Sequence, residues 1–547
     1  MAAQRYRVGF TCNGAPVEVD AEPGESLLSV LRERLGLISV KDGCAPQGQC
    51  GCCTVLVDGD ARVACVTPAQ RVAGRTVTTL EGLDPVVRDR LAAAFLATGG
   101  SQCGFCTPGI LMRAAGGSRD VDRALAAHLC RCTGWLTVKE AITGSAEPTA
   151  GRDHDAAGER ATLEGGVAQR VDLSVPLGAG GFADDTAPRD ALVAVPLPPG
   201  SDAEWVEAAG HRFVMGETLL DARTRAAKVQ GRRTSVADTP PLPPPDAPAP
   251  AVRLATSWVE PAYLEPDASW CVPGGAPASP LANGGAFGGK EASAAPAAAR
   301  ELADRFGRAV RVVFSREDVV RLGPKRPPIA AYALARDDGV VEIVGRVARG
   351  AAPHDWPSPV DGVEVRATWT EVDLPGPPVS SALRAVGLAE HAVLVAGALD
   401  RDVTVVAPSG ARATAHVDVD GATGGITTVH VDVAAGDPLD EVVLRSYAVG
   451  AAHMALGWVL TESIAVDPLT GEVHDLTIRS FGIVRPRNMP PVHVTVLRDG
   501  APARARSSDA VFAAVAAATW NAVTRAEGRR PDTFPARETR AARLLRR

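Results

Sequence analysis

The sequence predicts a multidomain α+β protein. Three observations carry that prediction. The chain has 547 residues, too many for one hydrophobic core. Residues 1–80 hold short runs of alternating polar and apolar positions, and residues 81–145 switch to helical spacing. From residue 251 onward, strand-like runs such as RAVRVVFS and TTVHVDV mix with alanine-rich helical runs such as APAAARELADRF and AVFAAVAAATWNAV.

Residues 5–20 read as a β-hairpin. RYRVGFTC and PVEVD flank Asn13-Gly14, a strong hairpin turn pair. A helix follows, with Ser26 as its cap, Leu27, Leu28, Leu31 and Leu35 as its apolar stripe, and Gly36 as its stop. Strand, strand, helix is the opening of a small β-grasp, ferredoxin-like fold, expected over 1–80. TVLVD then runs into an Asp58-Gly59 turn, and a short strand, ARVACV, carries Cys65.

Four short helices are expected over 81–145. Asp84-Pro85 caps and opens the first, with Val87, Leu91 and Phe95 on one face and Gly99 as its stop. Thr107-Pro108 opens the second, which ends at Gly116-Gly117. The third runs from about Asp120 to Leu129 and the fourth from about Trp135 to Ile142. Short helices with short connections predict a small bundle. Residues 146–165 read as a linker, 166–237 as a mixed α/β region, 238–250 (DTPPLPPPDAPAP) as a semi-rigid proline spacer, and 251–547 as an α+β region.

Composition narrows the function classes. A formal net charge of −7 without a basic run argues against a general nucleic-acid binder. The opening MAAQRYRVGF has no apolar core, so no secretory signal is expected. No uncharged apolar run reaches membrane-span length. Eleven cysteines in such a chain suggest metal-bound thiolates and a cytoplasmic location.

Nine of those eleven cysteines lie between residues 44 and 132. Cys44, Cys50 and Cys53 form C-x5-C-x2-C, with Cys65 as a distant partner. Plant-type [2Fe–2S] sites use C-x4-C-x2-C plus a distant cysteine, so the first gap here is one residue longer. Gly43, Gly48 and Gly51 let the loop wrap a small inorganic core and aim amide N–H groups at sulfur. Cys52 is a spare that competes with Cys53, and Cys53 preserves the two-residue gap. The second set is Cys103-x2-Cys106 with Cys130-x-Cys132, suited to a cluster held between helix ends. All-cysteine structural zinc is the alternative for both sets. The glycine-rich first loop and the C-x-C pair favour iron. Cys12 and Cys271 are lone thiols expected to be buried and inert.

QCGFCTPGI (102–110), LCRCTGW (129–135) and the loop GQCGCCTVLVDG with a further cysteine on the next hairpin arm resemble the iron–sulfur part of the xanthine dehydrogenase family of molybdenum hydroxylases. The resemblance is nearly continuous over 1–145. It implies one [2Fe–2S] cluster at Cys44, Cys50, Cys53 and Cys65, and a second at Cys103, Cys106, Cys130 and Cys132. It also implies that Gln102 lies near molybdopterin. Downstream, GHRFVMGETLLDARTRAAK is similar to part of the family's α/β-hammerhead domain. EPAYLEPDASW, NGGAFGGKE, SSALRAVGLAE and LGWVLTES resemble its molybdopterin-binding region. By that resemblance Gly284, Gly285, Phe287, Gly288 and Gly289 would cradle molybdopterin. Glu265 and Arg384 would orient substrate, and Asp509 would stand where the family has its catalytic glutamate.

The departures are specific. The second glutamine loop reads Met454-Ala455-Leu456-Gly457, and the glycines expected round the catalytic carboxylate are absent near ARARSSDAVF. No FAD domain is recognisable. The leading reading is therefore an electron-transfer subunit with two [2Fe–2S] clusters. Its expected partners are an FAD-binding subunit and a molybdopterin-binding large subunit, with a small-molecule substrate at the complex. The first alternative is a compact, self-sufficient molybdopterin hydroxylase of purines, N-heterocycles or aldehydes. The second is a non-enzymatic redox sensor or zinc scaffold.

Overall fold

The computed structural model describes residues 5–117, 120–144, 151–227, 236, 238–279, 286–353 and 358–546. Four sheets and a set of helices build an α+β architecture.

The first sheet has five strands in the order Ala15–Ala21, Tyr6–Cys12, Thr76–Thr78, Thr54–Val57, Asp60–Val63. The opening hairpin forms about Asn13 (φ 51°) and Gly14 (φ 82°), both left-handed as a tight hairpin turn demands. Ser26 caps the following helix by accepting from the Ser29 amide, and the helix passes into a π-helical turn over Val30–Arg34. Leu27, Leu28 and Leu31 are buried against the sheet. Cys65 sits not on a strand but in a 3-10 turn, Ala64–Val66, just beyond the strand Asp60–Val63. That turn folds the thiol back toward the cysteine loop.

Helices Pro85–Thr98, Thr107–Ala115, Val121–Leu125 and Leu136–Thr143 follow. Asp84 caps the first and Gly99 ends it in the left-handed region, as the sequence predicts. The third helix is shorter than expected, because the chain must leave helical geometry to present Cys130 and Cys132.

Residues 146–165 are not a plain linker. His154–Gly165 is a helix capped by Asp153. Its Arg160 and Glu164 are fully buried and paired at 2.7 Å, so these charged residues face inward. The proline stretch is pinned rather than free. Leu242 is buried, and Asp238 holds Arg537 and Ser463.

The second sheet crosses the expected boundary at 238–250. Its order is Ala268–Cys271, Val310–Val313, Leu192–Pro196, His211–Gly216, Val206–Ala208, which joins strands from both sides of the proline stretch. The third runs Val365–Val372, Val341–Ala348, Ile329–Ala335, Val252–Thr256, Thr533–Phe534, and the fourth Thr404–Val406, Arg412–Val419, Ile426–Ala434, Val492–Val496. Helices Leu388–Leu399, Glu441–Leu460 and Ser507–Glu527 fill the core between them. Glu441–Leu460 has the length and hydropathy of a membrane span, but 83% of its apolar window is buried inside the protein. It is a core helix.

A charged seam joins the first sheet to the second. Lys41 is fully buried, donates to Gly178 O at 2.8 Å and pairs with Asp185. Arg32 reaches both Asp184 and Asp185, and Arg311 reaches Asp184 and Glu33. Buried pairs of this kind add little net stability.

Candidate electron-transfer site

The loop from Gly43 to Cys53 gathers the first thiols. Ala45, Gly48 and Gly51 all adopt positive φ, which turns the loop around a common centre. Cys44 contacts Cys50 and Cys65, and Cys65 also contacts Cys53. All four are buried. Amide N–H groups of Gln47 (3.2 Å) and Gln49 (3.5 Å) point at Cys44 Sγ, and that of Cys65 points at Cys53 Sγ at 3.4 Å. Hydrogen bonds from Cys50 and Cys65 hold the Cys44 thiol well below its ordinary value, while Cys50 is pushed up because it donates to Cys44.

The second group is assembled from two chain segments. Cys106 precedes the helix Thr107–Ala115, and Cys130 and Cys132 lie just before Leu136–Thr143. Cys132 Sγ lies 3.6 Å from Cys103 Sγ, and Cys130 Sγ lies 3.1 Å from Thr133 Oγ1. The Cys106 hydrogen bond, helped by Thr133, lowers the Cys130 thiol to about 6.

The two groups are locked together. The Leu129 amide donates to Cys50 O at 2.9 Å. A Cβ on Gly51 would come within 2.5 Å of His128 Nδ1, and one on Gly109 within 2.3 Å of Gly51 O. Only glycine permits this approach. Cys52 contacts Cys50 and is raised by burial and by the neighbouring charges of Cys44, Cys53 and Cys103, so the spare thiol sits between the groups.

Both groups also dock on the C-terminal half. Gln47 Nε2 donates to Glu317 Oε1 (3.0 Å) and Leu476 O (2.7 Å). Arg131, between Cys130 and Cys132, makes a bidentate pair with Glu462. A Cβ on Gly450 would lie 1.8 Å from Cys132 O, so glycine is required where the long helix passes.

The first set offers four buried thiols and the second three buried and one half-buried, Cys103, and amide N–H groups aimed at sulfur attend the first. This donor set fits a [2Fe–2S] core.

The described residues expected to hold molybdopterin make contacts within the chain. Gly284 and Gly285 lie outside the described residues. Gly288 is filled from behind, since a Cβ there would lie 2.0 Å from Ala382 O. The Gln102 amide nitrogen donates to Cys132 O (3.0 Å) and Ser446 Oγ (2.9 Å), which makes it a strut between the second group and the long helix. Phe287, Arg384 and Asp509 do line one cavity, but its volume is about 70 Å³. Small-molecule sites run to several hundred Å³. Arg384 lies over the Phe287 ring at 4.9 Å and donates to Glu164 O. Burial raises Asp509 to about 6, against the opposing charge of Arg384. Glu164 accepts from the Ser507 and Ser508 amides (3.2 and 3.0 Å), so this chain's own carboxylate fills the helix N-terminus beside Asp509.

Glu265 does not join Arg384 and Asp509. It pairs with Lys290 at 2.6 Å near Cys103 and Cys106, and burial, offset by Lys290, raises it to about 7. Sequence reasoning missed Arg131–Glu462 and Arg160–Glu164, whose members are far apart in the chain or resemble surface charges.

This fold and these sulfur groups define an iron–sulfur protein with two [2Fe–2S]-binding domains. Comparison agrees: residues 10–74 match the 2Fe-2S iron-sulfur cluster binding domain, and residues 79–143 the [2Fe-2S] binding domain. The chain is 39% identical over 151 residues to "Xanthine dehydrogenase iron-sulfur-binding subunit" of Escherichia coli O157:H7 (26% of this chain, 94% of that protein). It is 35% identical over 152 residues to "Nicotinate dehydrogenase small FeS subunit" of Eubacterium barkeri (26% and 96%). The chain belongs to the xanthine dehydrogenase family of molybdenum hydroxylases. Its whole fold is similar to the aldehyde oxidoreductase of Desulfovibrio gigas, with a TM-score of 0.73 at 15% identity over 99% of this chain and 100% of that one.

Proposed function

We propose that this chain carries electrons within a molybdenum-hydroxylase-type oxidoreductase, with Cys44, Cys50, Cys53 and Cys65 holding one [2Fe–2S] cluster and Cys103, Cys106, Cys130 and Cys132 the other. When bound, the clusters supply one-electron chemistry. The chain's residues supply the rest. Buried thiols exclude water, amide N–H groups neutralise charge at the sulfurs of Cys44 and Cys53, and the Cys50–Leu129 contact fixes the separation of the two sets. The observation that carries this reading is the pairing of two complete thiol sets with a cavity of about 70 Å³ at Arg384 and Asp509. The C-terminal half then serves as a docking body for a molybdopterin-binding large subunit and an FAD-binding subunit, and the assembly works in the cytoplasm.

A second reading, in which the chain hydroxylates its own substrate, draws on Arg384 and Asp509 facing the same cavity. Assay of the purified chain with purines, N-heterocycles and aldehydes plus an artificial acceptor separates the two. The electron-transfer reading expects no turnover alone and two distinct one-electron centres by paramagnetic resonance. Turnover by the lone chain would overturn it.

A further inference from the structure

The outer face of the fourth sheet carries three histidines in one row. His416, His430 and His493 lie directly opposite one another on the neighbouring strands Arg412–Val419, Ile426–Ala434 and Val492–Val496. Side chains alternate across a strand. Val417, Val429 and Val431 are therefore buried while the histidines are exposed, and Asp418 stands two residues beyond His416 on the same face.

Asp418 lies against two of the rings, with Oδ1 3.4 Å from His416 Nε2 and Oδ2 3.0 Å from His430 Nε2. On its other side, His416 Nδ1 is 2.8 Å from Asp402 Oδ2. Both ring nitrogens of His416 thus face carboxylates. A neutral imidazole has a single N–H, so one of its nitrogens turns a lone pair toward negative charge. With the N–H on Nδ1, Asp402 fixes the ring and Nε2 keeps its lone pair for another partner. Metal-binding histidines are held by carboxylates in this way. A cation beside Nε2 and Asp418 removes the repulsion between them. His493 stacks on the His430 ring, with centroids 5.4 Å apart and 29° between planes, which restrains that ring.

Two imidazoles and one carboxylate suit zinc, with water as the fourth ligand. Bonds of about 2.0–2.1 Å place the ligand atoms of a tetrahedral zinc about 3.3 Å apart. The separations of 3.0 and 3.4 Å bracket that value. In their present rotamers the three side chains bond to one another rather than enclose an ion. All three are about half-exposed, so each has room to turn.

We propose that His416 Nε2, His430 Nε2 and the Asp418 carboxylate bind one zinc-type divalent cation, with Asp402 as a positioning residue behind His416. The ion ties two neighbouring strands of the fourth sheet together on their solvent side. The site shares no residue with either cysteine group, so the proposal stands apart from the electron-transfer reading.

The test uses the full chain with its iron loaded and oxidised, so that the cluster thiols are occupied. Equilibrium dialysis against zinc chloride, followed by metal analysis, is expected to show one zinc per chain beyond the iron. X-ray absorption at the zinc edge is expected to show nitrogen and oxygen ligands at about 2.0–2.1 Å, the scattering pattern of imidazole and no sulfur. His416→Gln, His430→Gln and Asp418→Asn should each weaken zinc binding about tenfold or more, and Asp402→Asn, which keeps every ligand, about ten- to hundredfold. His474→Gln, which removes a histidine beside a different carboxylate, Asp467, should leave zinc binding unchanged. Unaltered iron content reports that the variants are folded and loaded. No zinc beyond the iron would overturn the proposal, as would sulfur at the zinc edge, or site variants that bind zinc as tightly as the wild type.

Discussion

Arg131 and Glu462 form a buried, bidentate ion pair, with Nη1–Oε1 at 2.5 Å and Nη2–Oε2 at 2.6 Å. Arg131 is the residue between Cys130 and Cys132, and Glu462 follows the long core helix. The second cysteine group is therefore fastened to the C-terminal half at its own centre.

Glu462→Ala should break this fastening. Removing one partner of a buried pair leaves a charge uncompensated and costs about 3–5 kcal/mol. Thermal unfolding should show that loss, and the paramagnetic signal of the second cluster should fade before that of the first. Equal loss of both signals would mean that the pair supports the whole chain rather than the second group.

Cys52 tests the assignment of the first set. Cys52→Ala should retain about four irons per chain, whereas Cys53→Ala should retain about two. Iron analysis with paramagnetic resonance reads both. The reverse result would make Cys52 the ligand.

Gly450→Ala places a methyl group 1.8 Å from Cys132 O, so the long helix or the cysteine loop must move. Overpacking of this kind costs about 1–3 kcal/mol and more where backbone is the obstacle. The melting temperature should fall, and the second cluster should become accessible to iron chelators while the first stays protected.

Asp509 gives a pH dependence of defined sign. Its folded value is raised to about 6 by burial, against an ordinary 3.8. The folded state therefore holds its proton longer than the unfolded state. Stability is highest below the unfolded value and falls as pH rises from about 4 to about 6. Asp509→Asn should remove that fall, making the variant more stable than the wild type at neutral pH by at most about 3 kcal/mol. The two should converge below about pH 4, as denaturant titrations across pH would show.

The sequence made the cysteine sites legible because their ligands lie in short contiguous segments. Cap residues such as Ser26 and Asp84 were legible because capping is local chemistry. Arg160 and Glu164 were not. They form a charged i,i+4 pair on a polar helix, and their burial depends on the Arg504 carbonyl, the Ser507 hydroxyl and the Ser507 and Ser508 amides, more than three hundred residues away. The sheet that joins strands across 238–250 was not legible for a related reason. A proline stretch usually separates bodies, but here strands on either side of it share one sheet. The expected meeting of Glu265 with Arg384 and Asp509 failed because Lys290, one residue beyond the glycine-rich loop, captures Glu265 beside the second cysteine group.

The most direct measurement is the metal content of the chain purified anaerobically and alone. The account predicts about four irons and no molybdenum per chain. About four irons with one molybdenum would contradict it, and would make Asp509 the residue to replace next.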